Sequence, residues 1–250
     1  MTYRYQMATY PTPNSLFNIF SDLRAFLVAG FRSFPTAFAG TTLFLGLFTG
    51  NYAMLFFLMG LLLWVPLVNM GVNFLGGLLP TTWMGLRQGP VCNLVLKDSQ
   101  IGEGVGTAGT QQLVSDWIAM TIFIFSYLFT NALMLYKLPV EYAANATADD
   151  KAATDEKAGL RKSRAVVSLI MILAVGLVFL TLRLAVSKCD SILGAVIGLL
   201  VYGGLGFGWY KALSKTGQDR LSDLFGVANR LLSPSALTNQ PYACLPQAST

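Results

Sequence analysis

Four stretches of this chain contain no Asp, Glu, Lys or Arg: residues 33–86 (54 residues), 117–136 (20), 165–182 (18) and 191–210 (20). A helix needs about 20 apolar residues to cross roughly 30 Å of hydrocarbon, and all four runs meet or approach that length. A buried helix pair in a large soluble protein imitates one such run, but not four within 250 residues. Charged residues make up 12% of the chain and apolar ones 54%, against about 25% charged in an ordinary soluble protein. So few charges cannot cover a soluble body of this size. The sequence therefore predicts an all-α, multi-pass transmembrane helical protein with four to five spans plus flanking amphipathic helices. Trp117, Tyr136, Trp209 and Tyr210 stand at run ends, where amphipathic rings favour the membrane interface.

The first run allows two layouts. It can fold as a hairpin turning at Gly50-Asn51, with helices near 30–49 and 52–72, or cross once and add a re-entrant or interfacial piece. Pro66, Asn69, Asn73, Gly76, Gly77 and Pro80 all weaken a plain lipid-facing helix in its second half. Lys and Arg accumulate on the cytoplasmic side of membrane proteins. Five spans divide the 17 basic residues ten to seven, whereas four divide them thirteen to four, with Arg4, Arg24 and Arg32 joining the larger group. Charge thus favours four spans with both termini cytoplasmic, and length favours five; four is the expectation carried forward. Arg183, at the end of the third run, is expected to snorkel to the headgroups.

The chain divides into an N-terminal tail and amphipathic helix (1–29), a transmembrane region (30–212) with soluble loops at 81–116 and 138–164, and a C-terminal amphipathic helix with an extended tail (213–250). In the N-terminal part Leu16, Phe17, Ile19, Phe20, Leu23, Phe26 and Leu27 share one helical face, which suits a helix lying in the membrane plane or the first turns of the first span. No basic start with a compact apolar core marks a signal peptide. The 138–164 loop holds 10 of the 29 charges and predicts a short solvated helix. Near the C-terminus Leu221, Leu224, Phe225, Ala228, Leu231 and Leu232 recur at helical spacing, and Pro234, Pro241 and Pro246 keep the last residues extended.

The chemistry is narrowed by what is missing. The chain has no histidine, which excludes Ser-His-Asp triads and His-containing zinc sites. Cys92, Cys189 and Cys244 form no C-x-x-C pair, and no disulfide is expected. The net charge of +5 fits interfacial Lys and Arg rather than nucleic-acid binding. Gly104-Val105-Gly106-Thr107-Ala108-Gly109 matches G-x-G-x-x-G but lacks the strand–helix context of a dinucleotide site, so it reads as a loop. Asn145-Ala146-Thr147 is a glycosylation sequon on the side expected to be cytosolic. Asp219 and Asp223 lie one helical turn apart and fit a solvated face better than a metal pair. No ionisable group sits in the centre of a span, which disfavours an ion-coupled carrier; Asn69, Asn73 and Asn131 are the central amides that could line a passive pore.

In the last run Gly194, Gly198 and Gly206 lie on one face, where small side chains admit a close helix partner. That partner is either the preceding span or a second copy of the chain. No catalytic, cofactor-binding or metal-binding residue is assigned, and the expectation is a non-enzymatic protein without cofactor.

The C-terminal stretch runs from Gly217-Gln218-Asp219-Arg220 through Ser233-Pro234-Ser235 to Pro241-Tyr242 and Leu245-Pro246. Together with the multi-span layout, it resembles the multi-pass membrane proteins in virions of large icosahedral DNA viruses such as the chlorella viruses. The resemblance implies a structural component of an internal virion membrane, or of a host membrane derived from the endoplasmic reticulum. Its spans would anchor a capsid or other protein shell to the membrane beneath. The docking candidates are Leu221, Leu224 and Phe225 on the amphipathic helix and Pro241, Tyr242, Leu245 and Pro246 in the tail. Expected partners are membrane lipids and other membrane or capsid proteins, with no nucleic acid. The competing expectations are a passive channel or small-solute transporter and, more remotely, a lipid-modifying enzyme using Asp219 and Asp223.

Overall fold

The computed structural model describes residues 15–78, 112–140, 142, 147–186, 190–216 and 224, with backbone only for 15–28, 153 and 186. These residues form five helices and no strand. We label them α1 (Ser15–Thr49), α2 (Tyr52–Gly76), α3 (Asp116–Lys137), α4 (Ala148–Thr181) and α5 (Ile192–Ser214). Four helices, α2 to α5, are long and apolar enough to cross a membrane, α4 by way of its continuation to Ala185. The protein is an integral membrane helical bundle.

Each helix after α1 starts at a side chain that accepts a backbone N–H, as the unpaired donors of a first turn require. Asn51 accepts from Ala53, Ser115 from Ile118, Thr147 from Asp150 and Ser191 from Gly194. At α4 the cap is reciprocal, because Asp150 accepts in turn from the Thr147 hydroxyl and N–H. These bonds hold the Asp150 carboxyl below its usual range. The charged cap therefore persists at neutral pH and is lost only as pH falls through that lowered value, below 3.8. Hydroxyls on the lipid-facing helices bond back to their own preceding turn, as Thr41 does to Ala37 and Thr49 to Leu45. Hydrocarbon offers them no other acceptor.

The first charge-free run forms the hairpin. Gly50 takes a positive φ of 63°, which glycine adopts without a Cβ penalty, and Asn51 caps the returning helix. The second half of α1 then lies antiparallel to α2: Gly46 approaches Met54 and Leu55, and Phe38 packs edge-on to Phe57. The backbone thus takes the hairpin at Gly50-Asn51, and of its two legs α2 is the one that counts among the four helices long and apolar enough to cross. The amphipathic segment expected before residue 30 is continuous with α1, and the charged helix expected as a separate loop element is the first half of α4.

Both prolines within the hairpin leave marks. A proline has no N–H for the carbonyl four residues earlier and its ring crowds that carbonyl. Pro66 is preceded by a π turn at Gly60–Trp64, which widens the helix around Leu62, the carbonyl Pro66 cannot serve. Pro35 leaves the Phe31 carbonyl without its usual donor, and the Trp117 indole Nε1 donates to it instead at 3.2 Å.

α3 is the axis of the bundle. Its first two turns, Trp117 to Ile124, are buried without a break, whereas the apolar part of α4 is exposed along nearly its whole length. α5 lies against α3 through Gly194, Gly198, Tyr202, Gly206 and Tyr210, all buried, in the four-residue repeat of ridge-into-groove packing. A Cβ on Gly206 would sit 2.8 Å from the Phe123 carbonyl oxygen, and one on Gly198 2.8 Å from Ile118. On the opposite side, Phe31 and Phe34 of α1, Phe125 of α3 and Phe179 of α4 form a ring cluster with centroids 4.7 to 5.8 Å apart. That range suits edge-to-face and offset contacts.

Substitutions at two glycines of α5 should have opposite outcomes. Gly206→Val should destabilise the protein by about 1–3 kcal/mol through overpacking, while Gly204→Ala, with open space around it, should stay within about 0.5 kcal/mol; thermal unfolding in mild detergent separates them. Four spans put the start of α1 and Ser214 on the same face of the membrane, so tags at the two termini should be digested from the same side of sealed vesicles, and digestion from opposite sides would make α1 a fifth span.

Candidate functional site

The polar side chains of the bundle gather at one end, where α2 finishes, α3 and α5 begin and α4 finishes. Burying a polar group in an apolar setting costs free energy unless it is hydrogen-bonded, and here the groups satisfy one another. Asn69 of α2 is almost fully buried. Its Nδ2 donates to Asp116 Oδ1 at 2.5 Å, and its Oδ1 accepts from the Tyr202 hydroxyl at 2.5 Å. One amide therefore ties α2 to both α3 and α5. One turn later, Asn73 stands in for a peptide group. Its Oδ1 accepts from the Leu113 and Val114 N–H groups at 2.9 and 3.1 Å, and its Nδ2 donates to the Val114 carbonyl at 3.1 Å. The chain entering α3 is held there, pressed between Asn73 and Gly194, where a Cβ would collide with the Leu113 carbonyl.

Beside this lies an ion pair. Arg183, in a π turn at Leu182–Val186, is 2% exposed, and its Nε donates to Asp190 Oδ2 at 2.6 Å. Its guanidinium sits 5.0 Å above the Trp117 ring, a cation–π distance. Arg183 does not snorkel: a carboxylate seven residues on and an indole face supply inside the protein what the headgroups would have offered. Trp117 joins three helices, with α4 above its face, Phe31 of α1 against its edge at 4.8 Å, and its N–H on the carbonyl freed by Pro35.

The glycine face of α5 is covered by α3. It faces neither the preceding span α4 nor a second copy, because Gly194, Gly198 and Gly206 all abut residues between Leu113 and Tyr127. Of the docking candidates only Leu224 is described. It is 1% exposed within the main core, and its carbonyl accepts from Asn51 Nδ2 at 3.2 Å. Its side chain is thus buried in the protein's own core and its carbonyl is bonded to the hairpin turn. Leu221, Phe225, Pro241, Tyr242, Leu245 and Pro246 lie outside the described residues, as do the glycine-rich motif at 104–109, the three cysteines, Asn145, Asp219 and Asp223. Asn131 is buried, and its Oδ1 has no hydrogen-bond partner among the described residues; nor does Thr121 Oγ1. Among the described residues no three His, Cys, Asp or Glu side chains are grouped to hold a metal ion.

Sequence reasoning singled out Asn69 and Asn73 as central amides, whereas the structure sets them in the last turns of α2, bonded to α3, α5 and the chain entering α3. It missed that Asp116 and Tyr202 complete their network and that Arg183 pairs with Asp190. The available signal was Asp190 itself, an acid in the short turn following an arginine at a span end. With this geometry in view, the comparisons with known proteins add no identity: no family model, curated protein or solved structure matches the chain.

Removing one partner of a buried ion pair leaves the other charge uncompensated, at a cost of about 3–5 kcal/mol. Arg183→Gln and Asp190→Asn should each lower unfolding stability in detergent by that order. The double variant should lose clearly less than the sum of the two.

Proposed function

We propose that this protein is a non-enzymatic membrane scaffold that anchors a protein shell to the membrane beneath it. The observation carrying the proposal is how the polar groups at the closed end of the bundle are used. Asn69, Asn73, Asp116, Tyr202, Arg183 and Asp190 bond to one another or to backbone, an arrangement that fixes helices rather than receiving a substrate. At the other end the first half of α4 carries charged, exposed turns (Lys151, Asp155, Glu156, Lys157, Lys162) on the same helix as a lipid-facing span. Such a continuous rod transmits position from the bilayer to whatever binds above it. The more specific reading, that the shell is a viral capsid and the membrane that of a virion, is supported by the resemblance of the C-terminal sequence alone.

A passive channel lined by Asn69, Asn73 and Asn131 is the second reading. Asn131 Oδ1 and Thr121 Oγ1, buried and unpartnered among the described residues, favour it, since a polar atom without a protein partner suits contact with water. Asn69 and Asn73 count against it, because their amides are already committed.

Deleting residues 233–250 should leave membrane insertion intact and abolish co-purification of the shell protein in mild detergent. Retention of the same partners by the truncated protein refutes the docking role. Small-solute flux through the protein in liposomes should equal that of empty vesicles, and flux above that level supports the channel instead.

A further inference from the structure

The end of the bundle opposite the polar network carries a concentration of positive charge that no described acid pairs with. Lys137 closes α3, Arg161, Lys162 and Arg164 lie where α4 meets the apolar zone, and Lys211 and Lys215 close α5. Two contacts place Arg161 and Lys211 at the C-terminal end of α3. Arg161 Nη2 donates to the Leu138 carbonyl at 2.5 Å, and Lys211 Nζ lies 3.5 Å from Met134 Sδ on the last turn of α3. Among the described residues none of the six forms an ion pair. Among the described residues the acids on that side, Asp149, Asp150, Asp155 and Glu156, lie at least five residues farther out along α4 than Arg161, or about 7 Å at 1.5 Å per residue. Two of them are engaged, Asp150 with Thr147 and Asp155 with the Tyr142 hydroxyl.

Arg161 is the innermost of the group and 3% exposed. Its Nε is buried without a hydrogen-bond partner among the described residues, so a charged donor is held in place by Leu138 but left incompletely satisfied. Apolar surface adjoins it: Leu135, Leu138 and Ala165 pack together one turn away, and Leu160, Val166 and Val167 are exposed on the same stretch of α4. A ligand matching both features is anionic at one end and apolar at the other.

We propose that this basic band is a binding site for the phosphate of anionic phospholipids in the leaflet on that side of the membrane. The phosphate lies among Lys137, Arg161, Lys162 and Arg164, and the acyl chains run down the exposed face of α4. A free anion lacks the apolar part, and an acidic protein segment would meet the outward acids of α4 before it reached the band. With four spans thirteen of the 17 basic residues lie on this side, and with five ten do, so on either count it is the cytoplasmic leaflet, where anionic lipids give the surface its negative potential.

The test uses full-length protein in mild detergent, with phosphatidylglycerol, phosphatidylcholine and inorganic phosphate as probes and lipid binding read by native mass spectrometry. Phosphatidylglycerol should bind and raise the unfolding temperature, while phosphatidylcholine and inorganic phosphate do neither. A cation near a membrane surface is worth about fivefold in affinity. The exposed pair Lys162→Gln and Arg164→Gln should therefore weaken phosphatidylglycerol binding by about 25-fold, and Lys151→Gln with Lys157→Gln, the same charge change outside the band, by less than about twofold. The proposal is overturned if the outer pair weakens binding as much as the inner pair, if both lipids bind alike, or if inorganic phosphate or polyglutamate competes as well as the lipid.

Discussion

The bundle depends on the close approach of α5 to α3, made possible by side chains that are absent. Lipid tails are as apolar as leucine, so helices in a bilayer gain little from hiding apolar surface and must associate through packing and hydrogen bonds. A Cβ on Gly206 would meet the Phe123 carbonyl oxygen at 2.8 Å and the Tyr127 nitrogen at 3.2 Å, and Ser126 Oγ donates to the Gly203 carbonyl at 2.6 Å. With α5 seated, Tyr202 is carried to Asn69 and Trp209 to α2, where its Nε1 donates to the Phe56 carbonyl at 3.0 Å. Gly60 leaves the space for that indole, since a Cβ there would lie 2.5 Å from Trp209 Nε1.

A second set of contacts holds the other side. Prolines that interrupt α1 and α2 would be a liability in hydrocarbon, where a freed carbonyl finds no water. At Pro35 the liability becomes an attachment, because the Phe31 carbonyl receives Trp117. The same indole lies beneath Arg183, so a backbone irregularity, an aromatic ring and a buried ion pair act at one point. This focus fixes α1, α3 and α4 at the end where Asn69 and Asn73 fix α2, α3 and α5. The opposite end carries six cations and the charged first half of α4.

Much of the fold was legible because the bilayer imposes a simple rule on composition: charge-free runs mark helices, and the runs at 117–136, 165–182 and 191–210 each became one. The hairpin was legible as an alternative through Gly50-Asn51, and the count of basic residues favoured four spans, the number of helices long and apolar enough to cross. The glycine face was visible, whereas its partner was not, because α3 and α5 are separated by the whole of α4 in sequence. Arg183 was misread for the same reason. Position along a span distinguishes snorkelling from pairing only if the location of the opposite charge is known, and Asp190 reaches it through a turn that periodicity does not describe. Asn51 meeting the Leu224 carbonyl, 173 residues away, has no signature in either local sequence.

The central claim is that α3 is encased by protein while the outer helices face lipid. Quenching of single-tryptophan forms by lipids brominated at several depths tests it directly, because Trp117 is 1% exposed and Trp64 46% exposed. With the other tryptophans replaced by Phe, Trp64 should be strongly quenched at one or more depths and Trp117 at none. Equal quenching of the two, or no quenching of Trp64 at any depth, would contradict the account.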